Sequence, residues 1–154
     1  LFEEWVAEYG VADRISLQIE LGDVWLNTYY ASFVTVIRAL LANSIEHGYP
    51  QGGPIGIHLT AKGTQNNWLM LEYSDDGIGM SDEIRQHAFD PFYTTRRSKG
   101  STGLGLHLVF NLVNQILAGD IQATNKQPGA HFVLTLPMDV TSEEQRQPPS
   151  SNRG

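Results

Sequence analysis

The segment Ser74-Asp75-Asp76-Gly77-Ile78-Gly79-Met80 decides how the chain is interpreted, because it joins a predicted strand to a predicted helix through a turn with two glycines. An acidic residue at the end of a strand can accept a hydrogen bond from an exocyclic amine. Glycines beside it leave room for a planar ring to approach the backbone. Taken alone, the segment also fits an ordinary turn rich in Asp and Gly. The rest of the chain has to decide between these two interpretations.

The spacing of apolar residues predicts alternating strands and helices on both sides of this turn. Residues 14–21 alternate apolar and polar side chains, as expected of a half-buried strand, and residues 55–61 and 67–73 form a predicted hairpin. The other predicted elements are a short helix at 1–9, a return strand at 24–26, a long helix capped by Asn27 or Thr28 and ending near His47, a short helix capped by Ser81, a helix at 104–117, and strands at 120–125 and 131–136. This order predicts a two-layer α/β sandwich, with about three helices covering one face of a mixed β-sheet.

The composition excludes several classes of protein. The 154 residues contain 10 Lys and Arg against 17 Asp and Glu, which gives a net charge of −7. That balance argues against a protein that mainly coats nucleic acid or an anionic membrane, since both need a basic surface. The lack of cysteine excludes disulfides, thiolate metal sites and thiol nucleophiles. No apolar run approaches the ~20 residues of a membrane span, so we expect a soluble domain.

The domain boundaries follow from the same patterns. Residues 1–138 contain every predicted strand and helix, whereas residues 139–154 are polar and rich in Pro and Ser. Such a composition buries too little apolar area to order itself, so we expect a disordered tail. The chain begins at Leu1 in the middle of a pattern and without Met, and we expect it to be part of a longer protein.

The long helix carries three polar residues beside its apolar positions. Asn43, Glu46 and His47 are three or four residues apart and therefore lie on one side of the helix. An amide oxygen, a carboxylate and water are ligands that suit Mg²⁺. The alternative is a solvated polar edge without a ligand.

Two further segments have the chemistry of an anion site. Residues 100–106, Gly-Ser-Thr-Gly-Leu-Gly-Leu, open a predicted helix, and the free N–H groups of a helix start bind anions. Before them, Arg96, Arg97 and Lys99 form a cationic cluster that would neutralise a polyphosphate. The alternatives are a glycine-rich hinge and a solvated charged loop. Phe89 and Phe92 are predicted to anchor the loop to the body of the domain.

The order of these segments resembles the catalytic, ATP-binding domain of sensor histidine kinases, within the superfamily that includes gyrase, MutL and a heat-shock chaperone. The similarity extends from about residue 1 to 138. The segments that carry it are residues 40–47 (LLANSIEH), similar to the N box; Asp75-x-Gly77-x-Gly79, similar to the first glycine box; residues 89–92 (FDPF), similar to the F box; residues 102–106 (TGLGL), similar to the second glycine box; and Gly129-Ala130-x-Phe132, similar to the final glycine motif. The resemblance implies the Bergerat-type α/β sandwich, with ATP and Mg²⁺ as ligands.

The resemblance also implies a role for individual residues. Asp75 would bind the adenine amine, Asn43 would hold Mg²⁺, His47 would lie near the phosphates, and Arg96 would approach the γ-phosphate. Residues 89–103 would form the ATP lid, poorly ordered without nucleotide. The implied nucleotide-binding residues are Asn43, His47, Asp75, Gly77, Gly79, Phe92, Thr94, Thr95, Arg96, Lys99, Thr102, Gly103, Leu104, Gly105 and Leu106, with Arg96 and His47 as the catalytic pair.

The chain departs from the family pattern in two ways. Ala39 occupies the position one turn before Asn43, where the ATPases of the superfamily have a Glu that activates water, and this argues against a stand-alone ATP hydrolase. In addition, none of the five histidines, at positions 47, 58, 87, 107 and 131, lies in a sequence like that of a phosphoacceptor. We therefore expect the acceptor histidine on a hairpin upstream of Leu1.

The resemblance implies a domain that presents MgATP to a histidine of a dimerisation hairpin, with a response regulator receiver domain as the next acceptor. It further implies a cytoplasmic location, a parent protein that is a homodimer and is anchored in the inner membrane in some members, a monomeric isolated domain, and no nucleic-acid partner. Two alternatives are a serine kinase of the anti-sigma-factor type, which shares the boxes, and a degenerate module that binds a partner without catalysis.

Overall fold

The computed structural model describes residues 1–94 and 103–142. The helices are α1 (Phe2–Glu8), α2 (Tyr30–His47), α3 (Asp82–Gln86) and α4 (Gly105–Asn111), and the strands are β1 (Ile15–Leu21), β2 (Ile55–Gly63), β3 (Trp68–Asp75), β4 (Asp120–Thr124) and β5 (His131–Pro137). No helix in the described part of the chain is both long and apolar enough to cross a membrane.

The described strands form one mixed sheet with the order β1-β2-β3-β5-β4. β1 and β2 are parallel, and α2 connects them, whereas the other neighbouring strands pair antiparallel. The predicted hairpin is confirmed as β2 and β3. The mixed sheet and the α/β class are therefore as predicted, and β3, which ends in Asp75, is the central strand of the sheet.

The two faces of the sheet differ in polarity, since successive side chains of a strand point to opposite faces. One face is apolar and buried under the helices, and it contributes Ile57, Leu71, Tyr73, Phe132 and Leu134 to the core. The opposite face, called here the helix-free face, carries polar residues of the same strands. Along α2, the buried residues are Val36, Leu40, Leu41 and Ser44. The two-layer arrangement thus follows from the period of two in the strands and the helical period in α2.

The predictions for the first third of the chain were partly wrong. β1 is an edge strand, and Ile19 and Leu21 are 50% and 60% exposed rather than half-buried. The predicted return strand at 24–26 is not a strand. Only Asn27 pairs with another segment, in an isolated bridge to Asp139. α2 begins later than predicted, with Tyr29 as its N-cap and no side-chain cap, so the assignment of Asn27 or Thr28 as the cap was wrong.

The predicted helix at 104–117 is shorter and less regular than expected. α4 ends at Asn111 and continues as a π-helical turn at Leu112–Ile116. The chain then leaves the helix through Ala118, which has a positive φ of 55°. At Gly119 a Cβ would overlap the carbonyl oxygen of Thr135, so only glycine permits this close approach to β5. The stop signal at Gly119 was therefore found from sequence, while the π-turn has no sequence signature that we used.

Contacts of the domain continue past Met138. The N–H of Asn27 donates to the carbonyl of Met138 over 2.7 Å, and the N–H of Val140 donates to the carbonyl of Asn27 over 3.0 Å. The side chain of Asn27 also donates to the carboxylate of Asp139 over 2.9 Å. These hydrogen bonds fasten residues 138–140 to the loop before α2. The boundary at 138 and the disordered tail stay predictions, and residues 143–154 lie outside the described residues.

Candidate functional site

A cleft with a volume of about 330 Å³ lies between α2, the turn after β3, and the start of α4. Three predicted motifs, the N box and the first and second glycine boxes, contribute to its wall together with the segment after the F box, although they are far apart in sequence. The lining residues are Ala39, Ala42, Asn43, Glu46, His47, Ile78, Gly79, Met80, Ile84, Ala88, Tyr93, Thr94, Gly103, Gly105 and Leu106. The cleft is therefore the place where the sequence motifs meet.

The α2 side of the cleft is polar. Asn43 and His47 lie one turn apart on the same side of the helix, as predicted, and both are half-buried. The carboxylate of Glu46 is 3.9 Å from Nε2 of His47. The amide oxygen of Asn43 and the carboxylate of Glu46 are both hard oxygen donors of the kind that Mg²⁺ prefers.

The carboxylate of Asp75 is buried at the end of β3, with 4% of the residue exposed. Its Oδ1 accepts hydrogen bonds from the backbone N–H of Gly77 over 3.0 Å and from that of Ala130 over 2.9 Å. Its Oδ2 accepts from the hydroxyl of Ser44 over 2.5 Å. A carboxylate has about four acceptor positions, so these three donors leave about one for a further donor.

The hydroxyl of Ser44 is oriented by a second hydroxyl. The side chain of Tyr73 donates to Oγ of Ser44 over 3.0 Å. Burial raises the pKa of Tyr73, so the phenol keeps its proton and acts as a donor. The two hydrogen bonds therefore point the same way: the hydroxyl of Tyr73 donates to Ser44, and the hydroxyl of Ser44 donates to Asp75. We did not identify Ser44 or Tyr73 as site residues from sequence, because both match apolar core positions in the periodic pattern.

The glycines of the first glycine box permit close packing of backbone on backbone. A Cβ on Gly77 would overlap the backbone of Gly48, at the end of α2, and a Cβ on Gly79 would lie 2.9 Å from the carbonyl oxygen of Gly129. Gly79 also has a positive φ of 74°. Both glycines therefore pack three turns against each other, and the expectation that they also make room for a ligand stays a prediction. Of these two glycines, Gly79 lines the cleft.

The second acidic residue of the turn has a structural partner. Oδ1 of Asp76 accepts from the hydroxyl of Tyr49 and, over 2.8 Å, from the backbone N–H of Gly56. Burial and the hydrogen bond to Asp76 raise the pKa of Tyr49, so it remains a donor. The two adjacent carboxylates thus differ in role: Asp75 is buried and joins α2, the turn after β3 and the start of β5, whereas Asp76 fastens that turn to the start of β2.

The F box supports the far wall of the cleft. Phe89 packs against Phe110 and Phe132, with ring centroids 5.6 and 6.2 Å apart, which confirms it as an anchor. Phe92 is not buried as an anchor would be: it is 60% exposed, and it has a positive φ of 64°. Gly103 packs against the backbone of Phe92, where a Cβ would not fit.

The predicted site residues fall into three groups. Those that line the cleft are Asn43, His47, Gly79, Thr94, Gly103, Gly105 and Leu106. Those that are described but are not among its lining residues are Asp75, Gly77, Phe92 and Leu104, and Asp75 borders a second cavity that His131 also lines. Thr95, Arg96, Lys99 and Thr102 lie outside the described residues, together with most of the predicted lid. The lining residues that we missed are mainly apolar: Ala42, Ile78, Met80, Ile84, Ala88 and Tyr93.

Comparison with known proteins agrees with this geometry. The family model described as histidine kinase-, DNA gyrase B-, and HSP90-like ATPase matches residues 29–140. The chain is 37% identical over 133 residues to the alginate biosynthesis sensor protein KinB of Pseudomonas aeruginosa, a match that covers 84% of this chain and 21% of that protein. It is 34% identical over 137 residues to the autoinducer 2 sensor kinase/phosphatase LuxQ of Vibrio parahaemolyticus, covering 84% of this chain and 16% of LuxQ. The chain thus spans about a fifth of the length of these relatives.

Solved structures share the fold. The catalytic domain of histidine kinase ThkA superposes with a TM-score of 0.73 at 22% identity, covering 95% of this chain and 88% of that one. The mycobacterial sensor histidine kinase MprB superposes with a TM-score of 0.71 at 17% identity, covering 88% of this chain and 90% of that one. The matched family model covers most of the chain, including the three motifs and the segment after the F box that meet at the cleft. The chain belongs to the family of histidine kinase-, DNA gyrase B-, and HSP90-like ATPases.

Proposed function

We propose that this chain is the ATP-binding catalytic domain of a sensor histidine kinase and that the cleft between α2 and α4 holds MgATP. The observation that carries the proposal is that one cleft collects residues from the N box, the first glycine box, the segment after the F box, and the second glycine box. The relatives support the choice of kinase, since two similar proteins are named as a sensor protein and a sensor kinase/phosphatase.

At the adenine end, the remaining acceptor position of Asp75 would receive the exocyclic amine. The donors on this carboxylate are fixed, so the side chain is oriented before the nucleotide arrives. Preorganisation of this kind lowers the entropy cost of binding. Guanine presents a carbonyl where adenine presents its amine, and a carbonyl facing a carboxylate is repelled. The proposed site therefore selects adenine nucleotides.

At the phosphate end, the oxygen donors of α2 fit a magnesium ion. Asn43 would be the protein ligand, with Glu46 close by, and water and phosphate oxygens usually supply the rest of the coordination of Mg²⁺. When bound, the ion supplies positive charge that offsets the charge of the phosphates. A Cβ at Gly105 would meet no atom within 4 Å, so the start of α4 is open for phosphate to approach its N–H groups. His47 would face the phosphates, and Thr95, Arg96, Lys99 and Thr102 would contact them from the lid.

The chemistry of this domain would be positioning and charge neutralisation, which dominate phosphoryl transfer. A nitrogen of the acceptor imidazole would bond to the γ-phosphorus while the bond to the bridging oxygen breaks and ADP leaves. We propose that the acceptor histidine belongs to a cytoplasmic dimerisation hairpin of the parent protein, and that a response regulator then takes the phosphoryl group. Ala39 lines the cleft where a water-activating Glu would lie in the ATPases of the superfamily, which favours transfer over hydrolysis.

The first prediction concerns the base. Asp75→Asn should weaken ADP binding at least about tenfold, because a charge-assisted hydrogen bond worth about 1.5–3 kcal/mol is lost. The amide oxygen can still accept from Gly77 and Ala130, so the fold should persist. Isothermal titration calorimetry measures the affinity. As a second measurement, ADP at ~100 times its Kd should raise the free energy of unfolding of the unsubstituted chain by about 2.7 kcal/mol.

Asp76→Asn is the matched control, because this neighbouring carboxylate binds Tyr49 and Gly56 rather than the cleft. It should leave the ADP affinity within about twofold. GDP should bind the unsubstituted chain at least about tenfold more weakly than ADP. Equal affinities for ADP and GDP would refute the adenine assignment.

The second prediction concerns the metal. Asn43→Ala should reduce ATP affinity several-fold when Mg²⁺ is present and little when it is chelated, because it removes a proposed ligand of the ion. Asn114→Ala is a suitable control, since Asn114 is exposed and bonds only within its own helical segment, to the carbonyl of Phe110. An equal loss with and without Mg²⁺ would mean that Asn43 supports the helix rather than the ion.

The third prediction concerns the acceptor. Given MgATP with a labelled γ-phosphate, the chain should bind nucleotide, hydrolyse only traces, and acquire no acid-labile phosphate. Adding the acceptor hairpin of the parent protein should give phosphohistidine on the hairpin. Arg96→Ala should slow that transfer more than it weakens ATP binding. Stable phosphohistidine on any of the chain's own five histidines would show that the acceptor was misplaced, and rapid hydrolysis would favour an ATPase.

A further inference from the structure

A buried histidine on the helix-free face joins three neighbouring strands. The side chain of His131, the first residue of β5, is 5% exposed. Its Nε2 lies 2.9 Å from Oε2 of Glu72 on β3, and its Nδ1 lies 2.6 Å from Oγ1 of Thr124 on β4. Phe132 follows it into the core, so His131 points to the opposite face of the sheet. One imidazole therefore links β3, β4 and β5 beside the turn between β4 and β5, which begins after Thr124 and ends before His131.

The charges of this cluster fix the direction of its hydrogen bonds. The hydrogen bond from His131, with a smaller contribution from Lys126, lowers the pKa of Glu72, so its carboxylate is ionised at neutral pH. Nζ of Lys126 is 3.3 Å from the same carboxylate. A carboxylate only accepts, so Nε2 of His131 carries a proton. Oγ1 of Thr124 then faces the second ring nitrogen.

The residue that precedes His131 contacts Asp75 directly. Asp75 and Ala130 exchange two contacts: the N–H of Ala130 donates to Oδ1 over 2.9 Å, and the N–H of Asp75 donates to the carbonyl of Ala130 over 3.0 Å. The next pair along the two strands is Ser74 opposite His131. His131 and the Asp75 carboxylate thus lie on opposite faces of the sheet, one residue apart.

The turn itself is in tight contact with Asp75. Gly129 has a positive φ of 77°, and a Cβ there would overlap the carbonyl oxygen of Asp75. If the first residues of β5 were displaced, Gly129 would push against the backbone of Asp75, or the N–H of Ala130 would move away from the Asp75 carboxylate. The hydrogen bonds of His131 to Glu72 and Thr124 oppose such a displacement.

We propose that His131 is a positioning residue for adenine recognition: by joining β3, β4 and β5, it keeps the N–H of Ala130 on Asp75 and so fixes where Asp75 presents its remaining acceptor position. This inference rests on the proposed ATP-binding function. Without the hydrogen bonds of His131 to Glu72 and Thr124, the carboxylate of Asp75 gains freedom to rotate. The preference for nucleotides that carry the amine then falls, whereas the affinity for the rest of the nucleotide is kept, because the phosphates are held at the other end of the cleft.

The test compares two nucleotides that differ only in the amine, ADP and the diphosphate of purine riboside, which lacks the 6-amino group. Calorimetry gives the affinity of each for the unsubstituted chain and for His131→Ala. The unsubstituted chain should prefer ADP about tenfold or more, as expected for one hydrogen bond to a charged group. In His131→Ala this preference should fall to about threefold or less, through weaker binding of ADP. A role in stability alone would weaken both nucleotides equally and leave the ratio unchanged.

His58→Ala is the matched control. His58 lies on β2 on the same face of the sheet, paired in register with Ser74, and its Nε2 is 3.2 Å from Oε1 of Glu20. It borders the same cavity as the turn between β4 and β5, but its hydrogen bond goes to β1 rather than to that turn, and its side chain is 41% exposed. Its substitution should leave the preference for ADP at the value of the unsubstituted chain.

Variants of the two partners of His131, Glu72 and Thr124, keep the inference testable if His131→Ala does not fold. Glu72→Gln retains an acceptor for Nε2 of His131 and should keep most of the preference for ADP, whereas Glu72→Ala should lower it. Thr124→Val removes the partner of Nδ1, together with the longer hydrogen bond of 3.4 Å that Oγ1 accepts from the N–H of Lys126, and should give an intermediate preference. An unchanged ratio in both Glu72→Ala and Thr124→Val would overturn the inference and leave the proposed function intact. Failure of the unsubstituted chain to bind ADP would instead refute the proposed function.

Discussion

Three donors from three segments converge on the buried carboxylate of Asp75: the hydroxyl of Ser44 from α2, the N–H of Gly77 from the following turn, and the N–H of Ala130 from the start of β5. A buried charge is costly unless it is hydrogen-bonded, so these segments must meet for the domain to fold. The same requirement places the end of α2, the turn after β3 and the turn before β5 around the two carboxylate oxygens of Asp75. The adenine end of the proposed site is therefore formed when the domain folds, before a ligand binds.

Close backbone packing is the second constraint, and it explains the spacing of the glycine motifs. Gly77 lies against Gly48, and Gly129 lies against Asp75, in positions where a Cβ would overlap backbone atoms. The N box, the first glycine box and the final glycine motif are thus parts of one packed unit around Asp75. The fold itself requires glycine at these positions, which is why a pattern interpreted as a ligand motif also predicted the fold.

Periodicity and turn chemistry were sufficient to predict the mixed sheet, the β2–β3 hairpin and the polar side of α2. They were insufficient where a residue's environment depends on the edge of the sheet or on distant partners. Ile19 alternates like a half-buried strand residue, yet no helix covers it because β1 is an edge strand. Ser44 and Tyr73 match core positions and nevertheless form a hydroxyl chain to Asp75, a pairing across 29 and 31 residues that no local pattern encodes.

The central claim is that the cleft between α2 and α4 binds an adenine nucleotide with its amine on Asp75. The most direct measurement is a crystal structure of the chain with Mg²⁺ and a non-hydrolysable ATP analogue. We expect the exocyclic amine within hydrogen-bonding distance of Oδ2 of Asp75, with the phosphates between Asn43 and the start of α4. A nucleotide bound on the helix-free face, or in this cleft with its base away from Asp75, would refute the adenine assignment.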